Sequence, residues 1–443
     1  MDNFPQSNGL PAYVTANDVK TRPGKVIPYR EALRLILSSM ATKRLPESIR
    51  SELPAIVSHW LHAPKEAPLL LAKKTGKKWR ALLSGYVAIN PDNLARLKLH
   101  RVNPRLGFKL DHGDIPLPPV RHPTFTFIDL FAGIGGFRVA LQNLGGKCLF
   151  SSELDLTAKQ TYFSNFGEIP FGDIHKFTAK NIPDKWIAKC IPDHDIMAAG
   201  FPCQPFSKAG ISARIALGQK HGFSCETHGA LFFDVVRIAK VKKPKAIFLE
   251  NVKNLHTHDG GRTFQIIRDV IEQELGYSFS SHIIDASPMV PQRRLRCYIV
   301  CLRDPKVTFS FPSIKGRPRP LISILEASPP DRYTISNRLW NGHQERTKRN
   351  IDRGTGFKAY EADLCKPANT LVARYFKDGK ECLIPQKGKN PRKLTPRECA
   401  RLQGFPEEFI PHCLPQPAYR QFGNSVAIPV VERIAEQILD QYL

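Results

Sequence analysis

The chain is sparing with cysteine, acid and long apolar runs. Its ten cysteines contain no CxxC pair and none precedes Cys148, which excludes a disulfide framework and zinc-knuckle spacing. No uninterrupted apolar run reaches the roughly 18 residues of a membrane-spanning helix. The start, MDNFPQSNGL, lacks the basic-then-apolar layout of a secretory leader, and neither end carries a lipidation motif. A soluble, cytoplasmic protein is expected. No His/Cys/Asp/Glu group has metal-ligand spacing, so no metal is expected. The thiols Cys297 and Cys301, four apart in an apolar run, are expected to be inert core residues.

Acidic residues are scarce: 40 Asp and Glu face 65 Lys and Arg, a formal charge of +25 over 443 residues. Such an excess predicts a polyanionic partner, because basic side chains on a polyanion release condensed counterions. The excess is uneven. Residues 1–122 carry +11 and residues 306–390 carry +9, leaving +5 for the other 236 residues. With 42% hydrophobic residues, the chain can build a sizeable core.

The first basic block ends in the Pro-rich stretch 114–123, read as a linker. Before it, PYREALRLILSSM and ESIRSELPAIVSHWL have the apolar spacing of amphipathic helices. The segment KKTGKKW reads as a basic loop. A mainly helical accessory domain is expected over 1–122. From Thr124, apolar strands alternate with helices: TFTFIDLF, FRVALQNLG, KCLFSSEL, DIMAAGF, GALFFDVVRIAK, KAIFLENV, GRTFQIIRDVIEQELGY, HIIDAS and RCYIVCL. That alternation implies an α/β fold with a doubly wound, mostly parallel sheet, whose ligands sit at the carboxyl ends of the strands. Residues 306–390 break the pattern with Pro, Gly, Arg and Lys. A helix then starts at LTPRECARLQGF, with Thr395 as N-cap, Pro396 at N1 and Glu398 completing a capping box.

Five sites beside strands are candidates for chemistry. Phe131-Ala-Gly-Ile-Gly-Gly136 joins a strand to a helix, where glycines let the backbone approach a nucleotide-like ligand. Glu153 ends the next strand, near the offset of about 20 residues expected for a carboxylate on ribose hydroxyls. The GxGG spacing is not the dinucleotide GxGxxG; a nucleoside ligand fits, a nicotinamide enzyme is the second reading, and a ligand-free turn the third. In Gly200-Phe-Pro-Cys-Gln-Pro-Phe206, prolines on both sides stiffen a loop that presents Cys203 as a candidate nucleophile. Glu250-Asn251-Val252 ends another strand, where burial could keep the acid protonated. In Gln292-Arg-Arg-Leu-Arg296, period two puts Gln292, Arg294 and Arg296 on one face.

Together these segments, with RKLTPRECARLQGFP and Tyr419-Arg-Gln-Phe-Gly-Asn-Ser425, resemble the DNA (cytosine-5)-methyltransferase family in motif order. The resemblance covers 123–305 and 391–443. GFPCQPFSKAG, HGFSCETHGALFFDVVRI and LENVKNL further resemble the bacterial CCWGG-methylating branch. The resemblance implies a class I S-adenosylmethionine-dependent fold, with a catalytic domain over 123–305 completed by 391–443 and a target recognition domain over 306–390. It implies Cys203 as nucleophile, Glu250 as proton donor to the base, and Arg294 with Arg296 holding the base carbonyl. The cofactor S-adenosylmethionine would meet Phe131, Gly133, Ile134, Gly136, Glu153, Asp173, Ile174, Pro202, Leu231, Asn424 and Ser425. Leu154 stands where the family often has an aromatic, which weakens one adenine contact. Double-stranded DNA is the expected partner of a bacterial monomer, with a restriction endonuclease as a possible functional companion. An RNA substrate stays open at this point, as does a non-catalytic DNA-binding relative. The missing (D/N/S)PP(Y/F) segment speaks against exocyclic-amino methylation.

Overall fold

The computed structural model describes residues 26–39, 50–63, 109–201, 231–354, 356 and 358–443. Pro202, Cys203 and the basic loop 73–79 lie outside them. Strand β1 (Val26–Pro28) leads into helix α1 (Tyr29–Ser39), and α2 spans Leu53–His62. Strand β2 (Lys109–Asp111) pairs in parallel with β1. The alternating part follows: β3 (Phe125–Leu130), α3 (Gly136–Asn143), β4 (Gly146–Ser152), α4 (Leu156–Phe166), β5 (Ile196–Gly200), α5 (Leu231–Lys242), β6 (Ala246–Val252), α6 (Arg262–Asp269), β7 (Ser280–Asp285) and β8 (Leu295–Leu302). Beyond it come α7 (Asn337–Asp352), the short hairpin β9 (Ile384–Gln386) and β10 (Lys389–Arg392), α8 (Pro396–Gln403), α9 (Pro415–Asn424) and α10 (Ile428–Tyr442).

Six strands form one sheet in the order β4-β3-β5-β6-β8-β7. The first four run parallel, and β8 is antiparallel to both its neighbours. The chain passes outward from β3 to β4 and then returns to the far side of β3. The carboxyl ends of β3 and β5 therefore flank a topological switch point, where such sheets bind ligands. Burial on both faces explains why these strands read as near-continuous apolar runs. Alternate residues serve opposite layers. Phe127, Ala198, Phe248 and Val300 pack with α3 and α10, whereas Ile128, Met197, Leu249 and Ile299 pack with α5.

That second layer also contains Ile27, Leu33, Ile36, Leu53, Ile56 and Trp60 from the N-terminal segments. The two helices expected there are present, with their apolar faces against the sheet's side of the molecule. The stretch 114–123, read as a linker, has no helix or strand, but Ile115 is buried and the Leu117 N–H donates to Asn165 O at 2.9 Å, so the stretch packs on the core. Local signals set the element ends. Asp155 caps α4 by accepting from the N–H groups of Thr157 and Ala158, and Gly167 ends it at φ 67°. Thr395 and Glu398 form the expected capping box on α8. Glu398 is also ion-paired with Arg392 inside the protein. Cys297 and Cys301 are fully buried, and burial pushes the Cys297 thiol up to about 12, which keeps it inert.

Candidate active site

The crevice is built where β3, β4, β5 and β6 end. After β3 the backbone turns back on itself, with Phe131 at φ 56°, Gly133 at φ 55° and Gly135 at φ 86°. A side chain at Gly136 would come within 2.7 Å of Val426 and 2.9 Å of Ser425 Oγ. The glycine thus permits the turn to close on the C-terminal segment, bringing Gly133, Ile134, Gly136 and Ser425 together. The Gly133 N–H donates to Glu153 Oε2 at 2.8 Å, and the Asp155 N–H donates to Oε1 at 2.7 Å. Burial pushes the Glu153 carboxyl above its usual range, partly offset by these amide donors.

Beyond Glu153, residues 168–174 run alongside β4. The Phe171 N–H donates to Ser151 O, and the Glu153 N–H donates to Phe171 O. This pairing brings Asp173 and the buried Ile174 to the same strand end as Glu153. Asp173 Oδ1 accepts from the His175 N–H. Leu231 opens α5 and is half-buried, and Asn424 is exposed at the end of α9. Leu154 projects into solvent, 71% exposed.

Glu250 pairs in register with Gly200, three residues before Cys203 in sequence. Its carboxylate is buried, and Oε2 lies 3.9 Å from where a Cβ on Gly200 would stand. Arg296 Nε comes within 3.0 Å of Oε1, close enough to ion-pair, although Oε1 has no well-aligned hydrogen-bond donor. Burial raises the Glu250 pKa, and the Arg296 and Arg294 charges oppose that rise without cancelling it. Its neighbour Asn251 is buried and donates to Phe201 O at 2.8 Å. The strand carrying the acid therefore holds Phe201, two residues before Cys203 in the sequence.

Arg294 is placed differently from Arg296. It is 2% exposed, and its guanidinium donates to the carbonyls of Leu371, Gly423 and Ser425. Gln292, also buried, donates to Leu402 O and accepts from the Leu371 N–H. Of the two arginines, only Arg296 makes an ion pair with Glu250. Arg294 ties three segments together instead. The closeness of that junction was not legible in the sequence: a side chain on Gly423 would meet the Val372 backbone at 2.3 Å. Among the described residues, no group of three or more His, Cys, Asp or Glu could hold a metal ion.

Residues 125–440 match the family described as C-5 cytosine-specific DNA methylase. The chain belongs to that family and is a DNA-cytosine methyltransferase. It is 47% identical over 332 residues to the Type II methyltransferase M.SsoII of Shigella sonnei, covering 73% of this chain and 82% of that protein. It is 39% identical over 377 residues to the DNA-cytosine methyltransferase of Escherichia coli K12, covering 73% and 79%. Among solved structures, the fold is similar to the Entamoeba histolytica methyltransferase EhMeth, at TM-score 0.53 and 20% identity over 71% of this chain and 98% of that one. It is also similar to Schizosaccharomyces pombe Dnmt2 at TM-score 0.54 and 17% identity over 71% and 98%.

Proposed function

We propose that the enzyme methylates C5 of a cytosine flipped out of duplex DNA, using S-adenosylmethionine and a covalent adduct with Cys203. The observation that carries this reading is the buried, raised-pKa carboxyl of Glu250 at the strand end opposite Gly200, with Arg296 beside it. A base inside the duplex is out of reach, so extrusion comes first, at a cost of a few kcal/mol. The Cys203 thiolate adds to C6. Protonated Glu250 donates to N3 and neutralises the charge that addition drives into the ring. Arg296 orients Glu250 and holds the base carbonyl. Arg294 positions the strand beneath it. Once C5 has taken up the methyl group, its proton passes to water acting as base, the C6–S bond breaks to expel Cys203 as the thiolate, and the N3 proton returns to Glu250.

The glycine turn, the Glu153 carboxylate and the Ser425 approach suit a nucleoside with a short charged tail rather than a dinucleotide. S-adenosylmethionine would supply an electrophilic methyl group to C5. Glu153 would take its ribose hydroxyls, Asp173 its adenine amino group, and Ile174 the adenine face with Phe131. Gly133, Ile134 and Gly136 would line the methionine moiety, with Pro202, Leu231, Asn424 and Ser425 closing the pocket. The M.SsoII resemblance supports a bacterial restriction-modification setting, and we assign a monomer acting on the duplex. Cys203→Ser should abolish transfer of labelled methyl to DNA while DNA binding persists. Full activity in that variant would remove the covalent step.

A further inference from the structure

The family match begins at residue 125, yet helix α2, outside it, grips the segment that leads into Asp173. The Ile169 N–H donates to Ser58 Oγ at 3.0 Å, and the Gly172 N–H donates to Glu52 Oε2 at 2.9 Å. The His59 ring packs on Phe171 with centroids 4.6 Å apart, while His59 Nε2 accepts from the Ser151 N–H on β4 at 3.1 Å. Lys176 Nζ closes the arrangement at 2.6 Å from Glu52 Oε1. Position 172 has room for this contact because it is glycine: a Cβ there would stand 2.8 Å from Glu52 Oε1. The stretch from Ile169 to Lys176 is thus held from behind by residues 52–59.

We infer that Glu52 is a positioning residue for the cofactor pocket: through the Gly172 amide it fixes the backbone that presents Asp173 and Ile174, so the N-terminal segment sets affinity for S-adenosylmethionine. The inference rests on the cofactor reading above and deepens it. Without the carboxylate, a backbone N–H loses a charge-assisted partner and the Gly172–Ile174 backbone gains alternatives that the ligand must then freeze out. These contacts involve no residue of 306–390, where the sequence reading puts target recognition, so the effect should be confined to the cofactor.

Calorimetric titration of the full-length chain with S-adenosylmethionine tests it. Glu52→Ala should raise the cofactor Kd by about ten-fold, the scale of one charge-assisted hydrogen bond. Kd for duplex DNA without cofactor should stay within about two-fold, a change of a few tenths of a kcal/mol. Glu52→Gln keeps an acceptor oxygen and should restore most of the affinity. Gly172→Ala, which displaces the carboxylate from the other side, should weaken cofactor binding alone but add little to Glu52→Ala. Equal cofactor affinity in wild type and a folded Glu52→Ala chain overturns the positioning role and leaves the cofactor reading intact. Parallel losses of cofactor and DNA affinity also overturn it. A wild-type chain that binds no S-adenosylmethionine overturns both.

Discussion

Glu250 has to carry a proton at neutral pH if it is to donate one to the base, and its surroundings pull in opposite directions. Burial favours the neutral acid, and the Arg296 ion pair at 3.0 Å favours the carboxylate. The raised pKa means burial prevails. Glu250→Gln removes the transferable proton, and kcat should fall by at least about 100-fold, the low end for general acid catalysis. An unchanged single-turnover rate would remove the donor role. The protonated form is lost as pH rises, so the Glu250-dependent part of kcat should fall on the alkaline side. The strand-end position of Glu250 was legible in the sequence, from the apolar run that leads into its tripeptide, whereas Cys203 lies outside the described residues and its reading rests on the sequence alone. The separate role of Arg294 was not legible, since period two puts it on the same face as Arg296. Only the packed structure shows its guanidinium spent on three carbonyls.

Elements with strong apolar period or clear caps were readable: the six-stranded sheet, the capping box on α8, and the two N-terminal helices. Helix α7 was not read, because its sequence, NRLWNGHQERTKRNID, has few apolar residues to reveal a period; its plainest signal is Ser336, which caps the Leu339 N–H. Nor could spacing disclose the close approach of Gly423 to the Val372 backbone. Gly423→Ala should destabilise by about 3 kcal/mol, the upper range for overpacking against an unyielding backbone. A thermal melt matching wild type would contradict that approach. The N-terminal elements carry a pH dependence. Burial lowers the pKa of His59 and His62, and both ring nitrogens of His62 are buried without a hydrogen-bond partner. The unfolded chain therefore binds more protons than the folded one below about pH 6.5, the ordinary histidine value, so stability falls as pH drops through that point. Glu168 acts lower: burial raises its pKa, but Arg138, His59 and His62 outweigh that and bring it to about 2. Its contribution is full above the ordinary carboxylate pKa and is lost as pH falls toward about 2. Melting curves of His62→Phe between pH 7 and 5.5 should show a shallower decline than wild type; an equal slope would exclude His62 as a source.

On the scale of the whole molecule, the charge is uneven: the sheet and its helices are near balance, and the excess lies in residues 1–122 and 306–390. Residues 306–390 expose Arg338, Arg346, Lys348, Arg349 and Arg353 on and just beyond α7. If this face lies on the duplex, replacing Lys348 and Arg349 with Ala should reduce the slope of log affinity against log salt by about 2, close to one for each phosphate left without its cation. A slope equal to wild type would place the duplex elsewhere. The N-terminal charge was legible as a block, but its partner was not. The structure instead joins residues 26–39 and 50–63 to the core on the α5 side of the sheet.

The proposed reaction turns on covalent attack by Cys203 on a cytosine ring that then accepts a methyl at C5. Duplex DNA bearing 5-fluorocytosine at the target position tests it most directly, because fluorine cannot leave as a proton does. With S-adenosylmethionine present, mass measurement should find a stable protein–DNA adduct carrying the extra methyl, mapped to the peptide containing Cys203 and missing from Cys203→Ser. Methylation of the normal target with no adduct on the fluorinated one, or an adduct on another residue, would contradict the account.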